Sequence, residues 1–234
     1  MSKIVGFIPA KGNSSRIKFK NKKRILGVPM FLWAANNLNR VLPKEHIYVD
    51  SDDDSILEIA KKAGFNTIKR PSFLASNDVD GNKLLEWEFS NVKNADILIQ
   101  HLPPMIFCKK ETICKGISKI RHGFDSVVYI HSEKHYLWGE GKPLYDTNKI
   151  PNSVDLEPID IECMGLYVVS KESFERTKKR INKKYAVLEI DHFEKNDIDY
   201  EHDLIQARAL ASYFKKNKMT QYYEGVEFYL DENI

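Results

Sequence analysis

Short apolar runs rich in β-branched residues alternate along the chain with stretches where apolar residues recur every three or four positions. Lys3-Ile-Val-Gly-Phe-Ile-Pro9 is the first run. It predicts a buried strand that stops at Pro9, which has no N–H to donate. Pro29 opens a predicted helix with Phe31, Ala34, Ala35 and Leu38 on one face, and Pro43 closes it. Ile47-Tyr-Val49 predicts a second strand. The next helix turns Ile56, Ile59, Ala60 and Ala63 inward and ends at Gly64. A short strand at 67–68, a helix at 83–92, a strand at 96–99, a helix carrying Ile113, Ile117 and Ile120, and a strand at 126–130 follow. This alternation predicts an α/β fold with a doubly wound, mostly parallel sheet.

Between residues 131 and 161 the periodicity fails. Gly139, Gly141, Pro143, Pro151 and Pro158 punctuate the segment, and Tyr136, Leu137, Trp138, Leu144 and Tyr145 give it an apolar surface. Such a segment predicts an excursion from the sheet with a functional or interface role. Beyond it, a strand at 165–169, a helix capped by Ser170, an extended piece at 187–190 and a last helix from about Tyr200 complete the pattern. That helix turns Leu204, Ala207, Ala211 and Phe214 inward. Tyr222, Tyr223, Phe228 and Tyr229 are expected to fold the tail back on the body. The 234 residues fit one domain, 1–234, carrying the excursion.

Composition changes little, but charge changes the picture. The chain is 42% hydrophobic with a net charge of +3, and seven basic residues (Lys11, Arg16, Lys18, Lys20, Lys22, Lys23, Arg24) fall between 11 and 24 with no acid among them. Positive charge is therefore local to one loop. On charge alone that loop fits a solvated surface or a nucleic-acid patch. Its place after the first strand of an α/β sheet brings a polyphosphate site level with those readings. Gly12, Asn13, Ser14 and Ser15 supply small residues and hydroxyls suited to an anion. It is not a Walker loop, since no second glycine follows Gly12 before Gly27. No apolar run reaches the ~18 residues of a membrane span. Three cysteines without a C-x-x-C pair predict free thiols in a reducing, cytoplasmic setting.

Asp197-Ile-Asp199 is the second informative place. Residues two apart in an extended segment share a side, so the pair fits either a Mg2+ site completed by a triphosphate or a solvated turn with Asp199 as helix cap. Asp50 and Asp52 form a rival D-x-D pair, although acids also favour the start of the helix that follows. Arg70, held before Pro71, suits a ligand contact or a surface ion pair. Gln100 ends a central strand and can look into the crevice. His101, His131 and His135 show no metal spacing with a nearby carboxylate.

Ile8-Pro-Ala-Lys-Gly-Asn-Ser-Ser-Arg-Ile-Lys-Phe-Lys-Asn21, followed by Leu26-Gly-Val-Pro-Met30, resembles the signature of the cytidylyltransferases that activate nonulosonic acids. These are the CMP-sialic acid synthetases and their pseudaminate and legionaminate relatives, with I-P-A-R-G-G-S-K-x-I-P-x-K-N and then L-G-x-P-L. The likeness continues in order through Ser51-Asp-Asp-Asp-Ser-Ile56, Arg70-Pro71, Leu74-Ala-Ser-Asn-Asp78, Asn152-Ser-Val-Asp-Leu-Glu-Pro158 and Gly165-Leu-Tyr167, to Asp197-Ile-Asp199. Lys11 stands where the family has arginine, and Lys18 where it has proline. Gln100-His-Leu-Pro-Pro104 replaces Gln-Pro-Thr-Ser-Pro, so two hydroxyls are missing beside the expected sugar pocket.

The resemblance implies a Rossmann-like nucleotidyltransferase sheet with a dimerisation segment inserted at 131–161, and a reaction of CTP with a sugar acid to give a CMP-sugar and pyrophosphate. By the same resemblance, Lys11, Gly12, Asn13, Ser14 and Ser15 cradle the phosphates. Lys20 neutralises charge on the α-phosphate and leaving pyrophosphate, and Asn21 binds the ribose. Arg70 and the turn ending at Asp78 border the base. Gln100 and Asp155 face the sugar, and Asp197 and Asp199 hold Mg2+. Lys11, Lys20 and Asp199 are the expected catalytic residues. A homodimer is expected, with no nucleic-acid or membrane partner. Open alternatives are a cytidylyltransferase for the eight-carbon acid Kdo, a glycosyltransferase using Asp50 and Asp52, and a non-catalytic CTP-binding relative.

Overall fold

Ile4–Pro9 forms strand β1, which is buried on both faces. Ile4 and Ile8 pack into one core, and Val5 and Phe7 into a second core on the other side. A strand covered twice reads as a continuous apolar run, as this one does. The computed structural model describes residues 3–76, 78–92 and 94–230.

β2 (Ile47–Ser51) and β4 (Ile97–His101) flank β1 in parallel, and β3 (Asn66–Lys69) lies parallel beyond β2. On the other side, β7 (Leu166–Ser170) runs antiparallel to both β4 and β5 (Ser126–Glu133). β6 (Ile159–Glu162) pairs antiparallel with the far end of β5, and β8 (Tyr185–Glu189) pairs parallel along its other edge. The doubly wound, mostly parallel sheet is therefore present, with the β6–β7 segment as its antiparallel member. The chain winds outward from β1 to β3 and then returns to β4 on the opposite side of β1. That reversal opens a crevice at the carboxyl ends of β1 and β4.

Helices α1 (Met30–Asn39), α2 (Asp54–Lys62), α4 (Lys110–Arg121) and α6 (Glu201–Lys216) cover one face, contributing Leu38, Ile56, Ile113 and Phe214 to the larger core. α3 (Gly81–Ser90) and α5 (Lys171–Thr177) cover the other with Leu85 and Phe174. Asp53 caps α2. Partial burial opposes its charge, but hydrogen bonds from Lys22 and Ser55 outweigh that and hold its carboxyl at about 2. Tyr222, Tyr223 and Tyr229 bury as expected and return the tail to the body, while Phe228 stays exposed.

The excursion is shorter than the pattern predicts. His131–Glu133 prolong β5, and residues 159–161 lie in β6, so the irregular part spans 134–158. Antiparallel pairing between β5 and β6 carries these half-polar residues, which an apolar-periodicity criterion passes over. Within the excursion, Trp138–Gly139 pairs with Lys142–Pro143, and Ser153–Asp155 makes a single 3-10 turn.

Candidate active site

The crevice at the end of β1 is lined by Lys11, Lys20, Asn21, Arg70, Gln100 and Arg180, with Leu102, Pro103 and Pro104 as apolar wall, and encloses about 280 Å3. Each side chain arrives for a local reason. Pro9 ends β1, and the loop after it is anchored by the buried Ile17. Asn21 Nδ2 donates to the Lys11 carbonyl at 2.8 Å and closes the loop's base. Arg70 follows β3 and turns back to Asp50, with Nε–Oδ1 at 2.6 Å. Gln100 sits one residue before the end of β4.

Acids from the turn between β2 and α2 brace the loop. The Gly12 N–H donates to Asp52 Oδ1 at 2.8 Å, and Lys22 Nζ meets Asp53 Oδ2 at 2.6 Å. A Cβ on Gly12 would stand 2.6 Å from that of Asp53, so only glycine allows this approach. The Ser14 N–H donates to Asn13 Oδ1. Two of the N–H groups expected to face an anion are thus engaged within the protein. Asn13 and Ser15 are exposed.

Lys20 joins the crevice to the acidic pair. Its Nζ donates to the Ile198 carbonyl at 2.9 Å and to Asp199 Oδ1 at 3.0 Å, and Arg16 Nη2 reaches the same oxygen at 2.6 Å. Burial lowers the Lys11 ammonium, and repulsion from Arg70 and Lys20 adds to it, with Asp52 opposing. Cations crowded this way gain from an incoming anion. Asp197 keeps solvent contact, yet the protein packed around it and then the Asp199 charge raise its carboxyl above the usual range. Two crowded carboxylates of this kind suit a hard divalent cation whose other ligands are water and phosphate oxygens. Among the described residues no set of three or more acidic, histidine or cysteine side chains could hold a metal ion. Asp203 is a helix-start residue, its Oδ2 accepting the N–H groups of Asp199 and Tyr200.

The D-x-D pair of Asp50 and Asp52 does not present two free carboxylates. Asp50 is fully buried and bound to Arg70, and Asp52 holds the loop. Of the expected ligand residues, Gly12, Asn13, Ser14, Ser15, Asp197 and Asp199 lie beside the crevice without lining it, and Asp78 and Asp155 do not line it either. Asp78 lies in an exposed turn, bound to Ser76, and Asp155 lies in the exposed excursion, beside Asn152. Asn77, within the expected base-side turn, falls outside the described residues. His131 and His135 both pair with Glu133, and His101 is buried between Asn37 and the Leu102 carbonyl.

Arg180, which lines the crevice, and Glu88, buried beneath it, carry no expectation from the sequence. Arg180, from the loop after α5, lies over the Tyr167 ring at 4.0 Å and donates to Gln100 Oε1 at 2.9 Å. It also rests against Gly81, where a Cβ would stand 2.0 Å from Nη2. Glu88 of α3 is fully buried and accepts from Gln100 Nε2 at 2.6 Å. Its signal was an acid three residues after the buried Leu85, on the same helix face. Arg180 sits among Lys178, Lys179 and Lys183 and carries no such signal.

The family profile described as cytidylyltransferase matches residues 5–228. The chain belongs to the cytidylyltransferase family. It is 23% identical over 227 residues to the N-acylneuraminate cytidylyltransferase of Oncorhynchus mykiss, covering 92% of this chain and 52% of that protein. It is 38% identical over 65 residues to 3-deoxy-manno-octulosonate cytidylyltransferase 2 of Hydrogenovibrio crunogenus, covering 28% of this chain and 26% of that protein. The chain thus spans about half the length of the first relative and about a quarter of the second. In fold it resembles a CMP:2-keto-3-deoxy-manno-octonic acid synthetase solved with CTP, with a TM-score of 0.68 at 16% identity over 91% of this chain and 99% of that one. Among the described residues no helix is long and apolar enough to cross a membrane.

Proposed function

We propose that this cytidylyltransferase activates a nonulosonic, sialic-acid-like 2-keto-3-deoxy sugar acid with CTP, giving the CMP-sugar and pyrophosphate. The observation that carries the reading is Lys20, which lines the crevice and binds Asp199, coupling a cationic nucleotide cleft to an acidic pair. A sugar hydroxyl oxygen attacks the α-phosphorus, the bond to the bridging oxygen of the β-phosphate breaks, and the hydroxyl proton leaves to water. The protein contributes mainly position and charge. Lys11 and Lys20 bind the phosphates, and Lys20 faces the charge that develops as pyrophosphate leaves. Asn21 orients the ribose, and Arg70 borders the base. Asp197 and Asp199 would hold Mg2+, which supplies charge neutralisation at the phosphates.

Similarity to the octulosonate enzymes over 65 residues and in fold supports Kdo as the second substrate reading. Pyrophosphate release from each NTP against a panel of 2-keto-3-deoxy acids tests both. Release with no acid would refute the function, and release with Kdo alone would select the second reading.

We further propose a homodimer through the excursion, because its apolar residues Trp138 (63% exposed), Leu144, Ile150 and Val154 are all exposed. The three cysteines are free thiols, which suits a cytoplasmic enzyme.

A further inference from the structure

Beneath the crevice four polar side chains are withdrawn from water: Asp50, Arg70, Glu88 and Gln100. Strand alternation explains the gathering. Tyr48 and Leu98 pack on the α3 side of the sheet, so Asp50 and Gln100, two residues further along β2 and β4, point the same way. β1 lies between them, and Glu88 descends from α3 to reach both.

The orientation of Gln100 is decided by its neighbours. A guanidinium only donates, so Arg180 Nη1 requires Oε1 at 2.9 Å, and the amide NH2 must face Glu88 Oε2 at 2.6 Å. Arg70 places Nε and Nη2 on a single oxygen of Asp50, Oδ1, at 2.6 and 2.5 Å. Two buried oxygens are left over, Asp50 Oδ2 and Glu88 Oε1, each with no group donating to it. The two carboxyl groups stand within hydrogen-bonding reach of each other. One hydrogen between them satisfies both atoms.

We propose that Glu88 is a neutral carboxylic acid donating its proton to Asp50, and that it is a positioning residue for nucleotide binding, fixing Gln100 directly and Arg70 through Asp50. The functional part rests on the CTP reading above; the shared proton does not. Burial, then the Asp50 charge and the hydrogen bond to it, push the Glu88 carboxyl well above the usual range, while Arg70 and Gln100 oppose. Asp50 is raised by burial, with Arg70 opposing. The groups facing the pair are thus Arg70 from the end of β3 and Gln100 from β4, with Arg180 behind Gln100 and Lys11 facing Arg70. Neutral Glu88 lets Asp50 and Arg70 cancel, so the floor of the crevice carries no net charge. An ionised Glu88 would set a buried negative charge under a site that binds a triphosphate, against a second carboxylate.

The test uses Glu88→Gln and Glu88→Leu in the full chain. The glutamine amide can donate to Asp50 Oδ2 while its oxygen accepts from Gln100, reproducing both bonds with nothing to titrate. Calorimetry should give Glu88→Gln a Kd for CTP within about 2-fold of wild type, whereas Glu88→Leu, which strands two buried polar groups, weakens it about 10-fold or more. Infrared difference spectroscopy of the unliganded protein should show a protonated-carboxyl stretch in wild type that is absent from Glu88→Gln. The proposal is overturned if that band is missing, if Glu88→Gln weakens CTP as much as Glu88→Leu, or if both variants bind as wild type does. Should Glu88→Leu fail to fold, the band and the Glu88→Gln affinity decide. Wild-type protein that shows the band but binds no CTP overturns the positioning role and the proposed function, and leaves the shared proton standing.

Discussion

Replacing Lys20 by methionine removes an ammonium while keeping most of the stem's volume. Lys20 is only 8% exposed, and its Nζ makes two bonds, to the Ile198 carbonyl at 2.9 Å and to Asp199 at 3.0 Å. The stability effect is the loss of a donor from that carbonyl and of one of the two cations on Asp199, with Arg16 retained, about 1–3 kcal/mol in all. The kinetic effect has a separate origin. A unit charge about 4 Å from charge developing on a phosphate oxygen is worth about 4 kcal/mol at an effective dielectric constant near 20. Loss of one preorganised donor elsewhere lowers kcat by about 10²–10³, which is the same size. Continuous pyrophosphate release at saturating CTP and sugar acid measures kcat, and a thermal melt of the same preparation confirms folding. The expectation for Lys20→Met is a kcat lower by about 10²–10³ with KM for CTP raised less than about 10-fold. A folded variant with kcat within about threefold of wild type, or an effect confined to KM, refutes the assignment of Lys20 to the departing pyrophosphate.

Asp199→Asn keeps the side chain's shape but loses the charge that Lys20 and Arg16 share, and should reduce turnover by about 10²-fold or more at saturating Mg2+ with an unchanged circular dichroism spectrum. Near-normal turnover would remove Asp199 from the cation site. Trp138→Ala should convert a dimer to monomers by light scattering at micromolar concentration, with loss of activity; a wild-type monomer of 27.2 kDa that is fully active would end the dimer proposal. Burial lowers His101 from 6.5 to about 4, against the Leu102 carbonyl and with help from Arg40. The unfolded chain therefore binds more protons than the folded one between those values. Stability is fully present above about pH 6.5 and declines as pH falls towards 4, by about 3 kcal/mol at 1.36 kcal/mol per unit. Denaturant titrations across that window should show a slope that His101→Gln flattens, and equal slopes would show that another group carries it.

Elements with a strong local signature were legible from the chain alone. β1 shows as an apolar run ended by proline, α2 as an amphipathic stripe ended by Gly64, and the basic loop as charge without acids, because these depend on neighbours within a few residues. Lys11, Lys20, Asn21, Arg70 and Gln100, singled out by place after a strand or by the family resemblance, line the crevice. Gly12, Asn13, Ser14, Ser15, Asp78, Asp155, Asp197 and Asp199 were expected from the same resemblance and do not line it, and the irregular segment is shorter at both ends than the pattern predicts. The antiparallel entry of β7, the commitment of the Gly12 N–H to Asp52 and the meeting of Glu88 with Asp50 were decided only by the folded chain. Each joins residues tens of positions apart through strand register, and a sequence carries the residues but not the register. Glu88 shows the physical reason most plainly. In the sequence it is a charged residue on a helix, and only burial against Asp50 and Gln100 makes the neutral acid its stable form.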